Sequence, residues 1–136
     1  MTVHLNPYLH LDGQARAALE QYAAIFGGTP QVMTYGDMGT EGANAELVMH
    51  GFLGTPDGLQ LMVSDQTPED RVDVSDGPRI ALSGGVEEEA RLREWFTGLA
   101  EGGEVHVPLE RQPWGDLFGQ CRDRYGVVWL VDIEQA

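Results

Sequence analysis

An α+β fold made of two β-α-β-β-β units in tandem is what this sequence predicts, on three observations. Apolar residues spaced for one helical face occur twice, as Leu19, Tyr22, Ala23 and Phe26 and again as Leu92, Trp95, Phe96 and Leu99, each pair 73 residues apart. Each helical stretch follows a strand-like run and stops at a glycine pair, Gly27-Gly28 or Gly102-Gly103. Each half then closes on a turn glycine that opens a β-rich run, Asp57-Gly58-Leu-Gln-Leu-Met-Val-Ser-Asp65 and Tyr125-Gly126-Val-Val-Trp-Leu-Val-Asp132. The first repeat spans about residues 3–68 and the second about 77–134. Halves of about 65 residues are marginal alone, so the expectation is a single domain over residues 1–136 with a shared core and a concave cleft between the copies.

The first run, residues 5–11, alternates Leu5, Pro7, Leu9 and Leu11 with Asn6, Tyr8 and His10, the period-two sign of a half-buried strand. Pro7 cannot donate to a ladder, which places this run at an edge or a strand start. Asp12 suits an N-cap for the helix beginning near Gln14, and Gly27-Gly28 suits its stop. Residues 29–35, 45–53 and 59–65 read as three more strands. The polar, acidic stretch 69–77 reads as the linker between copies. The second unit follows with a strand at 79–83, a helix at 87–100 and strands at 104–109, 118–123 and 127–133. In that helix Glu87 and Glu89 stand four residues before Arg91 and Arg93, spaced to pair with them.

Charge narrows the function class. With 22 acidic against 8 basic residues and a net charge of −14, the chain repels nucleic acid and anionic membrane surfaces. Cys121 is the single cysteine, which fits a reducing cytoplasm. The N-terminal residues form no signal sequence, and no apolar run reaches the roughly 20 residues of a membrane span. The expectation is a soluble cytoplasmic protein.

A few residues carry chemistry beside a plainer structural role. His50, in the third strand with Val48 and Phe52 assigned to its face, offers proton transfer near neutral pH or a hydrogen-bonded strand histidine. Asp37 and Asp65 suit turn chemistry, or a ligand hydroxyl, or pairing with Arg79. His4, His10 and His106 lack ligand spacing. Trp114, between Pro113 and Gly115, suits an aromatic wall or an interface, whereas alternation sends Trp129 towards a helix. Cys121 reads as core.

The segments Pro7-Tyr8-Leu9, Tyr35-Gly36-Asp37-Met38, Met49-His50, Met62-Val-Ser-Asp65, Trp114-Gly115, Phe118-Gly119 and Asp123-Arg-Tyr-Gly126-Val-Val-Trp129 run almost the length of the chain. In order and spacing they resemble the vicinal oxygen chelate superfamily of glyoxalase I, extradiol dioxygenases and bleomycin-resistance proteins, within it the PhnB-like branch. The resemblance implies metal-ligand positions near Asn6 or Tyr8, at Met62, at Arg79 and at Leu130. Leucine cannot coordinate, a thioether suits soft ions, and an arginine repels a cation while offering a donor fork to an anion. Alternation puts Asp132 on the face of Leu130. The resemblance also implies a homodimer. Some members carry a demethylubiquinone methyltransferase label, but no glycine-rich loop for a nucleotide-like methyl donor is present.

The expected function is therefore binding of a small organic molecule, with no divalent metal and no cofactor. Tyr8, Met62, Arg79, Trp114, Leu130 and Asp132 would line the site and His50 would transfer protons. The alternatives are a metal-dependent lyase, isomerase or dioxygenase whose displaced metal site uses His50, Asp37 or Asp65, and a dimeric interaction module with a vestigial pocket.

Overall fold

The computed structural model describes residues 4–67 and 78–135, which fall into two compact units divided between Asp73 and Val74. In the first unit β1 (Tyr8–Leu11) leads to helix α1 (Ala15–Phe26), then β2 (Gln31–Thr34), a 3-10 turn at Gly36–Met38, β3 (Val48–Gly54) and β4 (Gln60–Asp65). The sheet order is β1-β4-β3-β2, with β1 parallel to β4 and the other pairs antiparallel. Parallel pairing of the first and last strands requires a long connection, which α1, β2 and β3 supply.

The packing follows from alternation. Leu9 and Leu11 of β1 are buried, as are Leu61 and Val63 of β4 and Leu53 of β3. Against β3 and β4 lies the buried stripe of α1, formed by Ala15, Ala18, Leu19, Tyr22 and Phe26. Burying each large apolar side chain contributes about 1.5–3 kcal/mol. Gly51 allows the helix to come close, because a Cβ there would stand 2.7 Å from Val63 Cγ2 and 3.0 Å from Leu19 Cδ2.

Three expectations for this unit need correction. The first strand begins at Tyr8 rather than Leu5, which is 99% exposed, and the Pro7 carbonyl instead accepts from the Met62 N–H at 3.0 Å. Asp12 is not the N-cap residue of α1. The cap position is Gln14, and the N–H of Ala15 donates at 2.9 Å to Asp65, brought from the far end of the unit. Val48 does not share a face with His50, because Met33 pairs with His50 while Thr34 pairs with Val48. Two β3 residues thus oppose one β2 step, and Met49 is the extra residue of a β-bulge. The bulge turns Val48 inward, 1% exposed, while His50 stays on the opposite face with Phe52.

The second unit repeats the plan. It comprises β5 (Arg79–Gly84), a 3-10 turn at Val86–Glu88, helix α2 (Glu89–Ala100), β6 (Glu104–Arg111), β7 (Leu117–Arg122) and β8 (Val128–Ile133), in the order β5-β8-β7-β6 with β5 parallel to β8. The expected α2 stripe of Leu92, Trp95, Phe96 and Leu99 is the buried one, and Trp129, Val131 and Ile133 of β8 are buried. The helix opens in a 3-10 turn, so Arg91 pairs with Glu88 rather than Glu87, while Arg93 meets Glu89 at 2.9 Å as expected. Such surface pairs are worth about 0–1 kcal/mol.

The hairpins also correspond. Gly58 (φ +87°) and Gly126 (φ +88°) take the left-handed turn position that favours glycine. At the head of each turn a side-chain oxygen accepts a backbone N–H four residues on, Thr55 Oγ1 from Leu59 at 3.1 Å and Asp123 Oδ1 from Val127 at 3.1 Å. The linker expected at 69–77 lies outside the described residues. Among the described residues no helix is long and apolar enough to cross a membrane.

Candidate functional site

On the sheet face of the first unit turned away from α1, two histidines, a tyrosine and a serine gather. Tyr8 and Met62 are register partners across the parallel β1–β4 pair, and Phe52 partners Met62 from the other side. The Tyr8 phenol reaches over β4 to β3, where its Oη lies 3.1 Å from His50 Nδ1. The Tyr8 ring is 5.7 Å from the His50 ring and 5.1 Å from the His10 ring, centroid to centroid. His10 in turn holds the Oγ of its register partner Ser64 through Nδ1, at 3.0 Å. Tyr8 is 42% and Met33 41% exposed, so aromatic and thioether surface stands open beside these polar groups. Of the expected site residues, Tyr8, His50 and Met62 are thus brought together. His10 and Ser64 join them unforeseen. Alternation had put His10 on the face of Tyr8, but Ser64 enters only through a register that couples residues 54 positions apart.

The corresponding face of the second unit carries the remaining candidates. Arg79 opposes Val128, Ala81 opposes Leu130 and Ser83 opposes Asp132 across the β5–β8 pair. On the other side of β8, Asp132 partners Phe118, whose ring meets Trp114 edge-on at 6.0 Å. Trp114, in the β6–β7 turn, is 64% exposed. Leu130 and Asp132 share the face that alternation assigned to them. Burial, then the negative charge of Asp116 and a hydrogen bond with it, then the charge of Glu134, raise the Asp132 carboxyl above its ordinary pKa. Arg79 stands four β8 positions from Asp132, about 13 Å along the strand, too far for an ion pair. Among the described residues Arg79 has no carboxylate partner.

Other candidates resolve into structural roles. Asp65, 3% exposed, accepts the N–H of Ala15 at 2.9 Å on one oxygen and that of Val48 at 3.0 Å on the other, tying the start of α1 to the bulge of β3. Buried and holding a backbone N–H on each oxygen, Asp65 serves the scaffold of its unit. Asp37 closes a reciprocal turn, accepting from the Thr34 N–H at 2.9 Å while its own N–H donates to Thr34 Oγ1 at 3.1 Å. The bond from the Thr34 N–H, and after it a hydrogen bond from the Thr34 side chain to the carboxylate, lower its pKa. Cys121 is fully buried, and desolvation followed by the charge of Asp123 pushes its thiol up to about 11. A nucleophile needs the thiolate, so Cys121 is core. Trp129 packs inward and donates from Nε1 to Asp123 Oδ2 at 2.8 Å.

The metal that the family resemblance implies finds a poor donor set at the carried-over positions. The Tyr8 hydroxyl is engaged with His50, Met62 offers a thioether, Leu130 offers no lone pair and Arg79 brings positive charge. Among the described residues no three His, Cys, Asp or Glu side chains converge as metal ligands. These residues do not fit a hard divalent cation.

Comparison with known proteins agrees with this architecture. The family model of the glyoxalase/bleomycin resistance protein/dioxygenase superfamily matches residues 4–131. The crystal structure of protein PA1353 from Pseudomonas aeruginosa is 34% identical, with a TM-score of 0.84 over 99% of this chain and 100% of that one. Protein YjdN of Escherichia coli is 25% identical over 95% of this chain and 94% of its own length. The Bacillus cereus PhnB protein, which carries a 3-demethylubiquinone-9 3-methyltransferase name, shares the fold at 24% identity with a TM-score of 0.74 over 97% of this chain and 100% of its own. Two β-α-β-β-β modules and a family match over nearly the whole sequence make this chain a member of the glyoxalase/bleomycin resistance protein/dioxygenase superfamily.

Proposed function

We propose that this chain binds a small organic molecule on the open sheet faces of its modules, without a resident divalent metal. The observation that carries the reading is the Tyr8–His50 hydrogen bond, which holds an imidazole in place beside exposed aromatic and thioether surface. His50 is the proton-transfer group, Tyr8 positions it, and Met62 supplies apolar contact. On the second module Arg79 offers a donor fork to an anionic group, Trp114 with Phe118 an aromatic wall, and Leu130 with Asp132 a mixed surface. The methyltransferase name of the B. cereus relative does not fit this chain, because a nucleotide-like methyl donor calls for a glycine-rich turn of G-x-G-x-x-G type, whereas β1 enters α1 through Asp12-Gly-Gln14 and β5 enters α2 through Gly84-Gly85-Val86.

The test pairs metal analysis with ligand screening. Protein purified without chelator is expected to hold no stoichiometric zinc, iron or manganese. Some members of a diverse small-molecule set are expected to raise the melting temperature, because a ligand at 100 times its Kd stabilises by about 2.7 kcal/mol. His50→Ala is expected to lose at least part of that rise and Tyr8→Phe to weaken it. Stoichiometric metal that disappears in His50→Ala refutes this reading in favour of a metal enzyme. Flat melting curves across the set refute it in favour of an interaction module. Native mass spectrometry of the same preparation tests the accompanying proposal of a homodimer.

A further inference from the structure

His10 and His50 are anchored in the same way. Each presents Nδ1 to a hydroxyl of its own sheet, Ser64 Oγ at 3.0 Å and Tyr8 Oη at 3.1 Å. A hydroxyl that donates to Nδ1 leaves the proton of a neutral imidazole on Nε2, and the imidazolium carries one there too. Among the described residues neither Nε2 has a hydrogen-bond partner. With both hydroxyls donating, the face presents two ring N–H donors fixed by protein hydroxyls, and among the described residues no acceptor satisfies them.

The rest of the face sets the ligand's character. Tyr8, Phe52, Met62 and Met33 supply flat and polarisable apolar surface around the donors. No strand residue on this side of the sheet is an Asp or Glu, although the chain has 22 of them, and the one carboxylate in its strands, Asp65, points to the helix side. A cationic ligand would find no counter-charge among the strand residues of this face. An acidic one finds donors, and salt screens the chain's net negative charge beyond about 8 Å at physiological ionic strength.

We propose that the open face of the first module takes small, flat, acidic organic molecules, aryl carboxylates and acidic phenols, whose oxygens accept from Nε2 of His10 and His50 while the ring lies against Tyr8, Phe52 and Met62. His10 thereby becomes a second ligand-binding residue, and Ser64 positions it. The inference rests on reading this face as a small-molecule site and adds the chemical class. It also fixes the sign of a salt effect. Because the whole chain carries −14, binding of an anion is expected to strengthen as salt is added, the reverse of binding to a basic site.

The experiment is side-chain 1H–15N NMR on the full chain, titrated with benzoate and salicylate and, as controls, with benzyl alcohol and benzylamine. The free protein is expected to show Nε2–H tautomers at both His10 and His50. Benzoate and salicylate are expected to shift both Nε2 signals and to bind at least tenfold more tightly than benzylamine. His10→Gln and Ser64→Ala are each expected to weaken benzoate severalfold and benzyl alcohol, a weaker uncharged acceptor, by a smaller factor, and the surviving His50 signal reports that the sheet is intact. Nδ1–H tautomers in the free protein overturn the inference, as does benzylamine binding as tightly as benzoate. Benzyl alcohol perturbing Met62 and Phe52 while benzoate does not overturns the acidic class and leaves the small-molecule site standing. Silence from all four probes overturns the inference, whereas the broader reading fails on flat melting curves over the diverse set or on stoichiometric metal that is lost in His50→Ala.

Discussion

Replacing Asp123 with alanine should unfold the second module well before the parent. Asp123 is 5% exposed, and its carboxylate accepts three hydrogen bonds, from Tyr125 N at 2.8 Å, Val127 N at 3.1 Å and Trp129 Nε1 at 2.8 Å. Tyr125 is only part-buried, and its N–H can turn to water. Val127 and Trp129 are 0% and 2% exposed, so their donors lose their acceptor with no route to solvent. Each stranded buried donor costs about 1–3 kcal/mol, which puts the expected loss near 4 kcal/mol. For a chain of this size that lowers the melting temperature by about 15 °C. Asp123→Asn keeps one carbonyl acceptor and is expected to lose about half as much. All three tryptophans, Trp95, Trp114 and Trp129, belong to the second module, so tryptophan fluorescence during heating follows this module and not the first. An alanine variant that melts within 3 °C of the parent, or an asparagine variant that melts as early as the alanine one, refutes the reasoning.

Two further outcomes follow from the same kind of accounting. The raised pKa of Asp132 means the folded state holds that proton more tightly than the unfolded chain, so stability falls as pH rises through the folded value. Asp132→Asn is therefore expected to stabilise at pH 7 by about 0.5 kcal/mol, since like-charge terms at partly exposed sites are of this order. The advantage over the parent should narrow on acidification and vanish below the ordinary value of 3.8, and melting curves from pH 3 to pH 8 that show no convergence count against it. Cys121, buried with its thiol held near 11, is expected to resist a thiol reagent at pH 8 until the protein unfolds, and rapid stoichiometric labelling of native protein refutes its assignment to the core.

What the sequence revealed, and what it hid, divides along the range of the interactions. Helix faces are local, and the constant spacing of Leu19 and Leu92, Tyr22 and Trp95, and Phe26 and Leu99 marked both helices and the doubled plan. Only Ala23 strays from the buried stripe, where Ala15 and Ala18 take its place. Turn glycines are local too, and Gly58 and Gly126 sit where the sequence placed them. The bulge at Met49 could not be read, because a two-against-one step exists only relative to the partner strand β2. The same is true of Asp65, which caps a helix 50 residues earlier in the chain, and of the His10–Ser64 bond, which needs the parallel β1–β4 register. The carboxyl neighbours Asp116 and Asp132 were likewise hidden until β7 and β8 were paired.

The extra residue at Met49 separates chemistry from scaffolding in β3. From Gly51 onward the strand is fixed by its ladder with β4, so the side chain at position 50 can be exchanged without disturbing anything beneath it. Shortening the strand by one residue at the bulge is a different event. It would rotate Val48 out of the core and withdraw its N–H from Asp65, loosening the first turn of α1 in the same stroke. Diversification at this spot is thus open to substitution and closed to deletion.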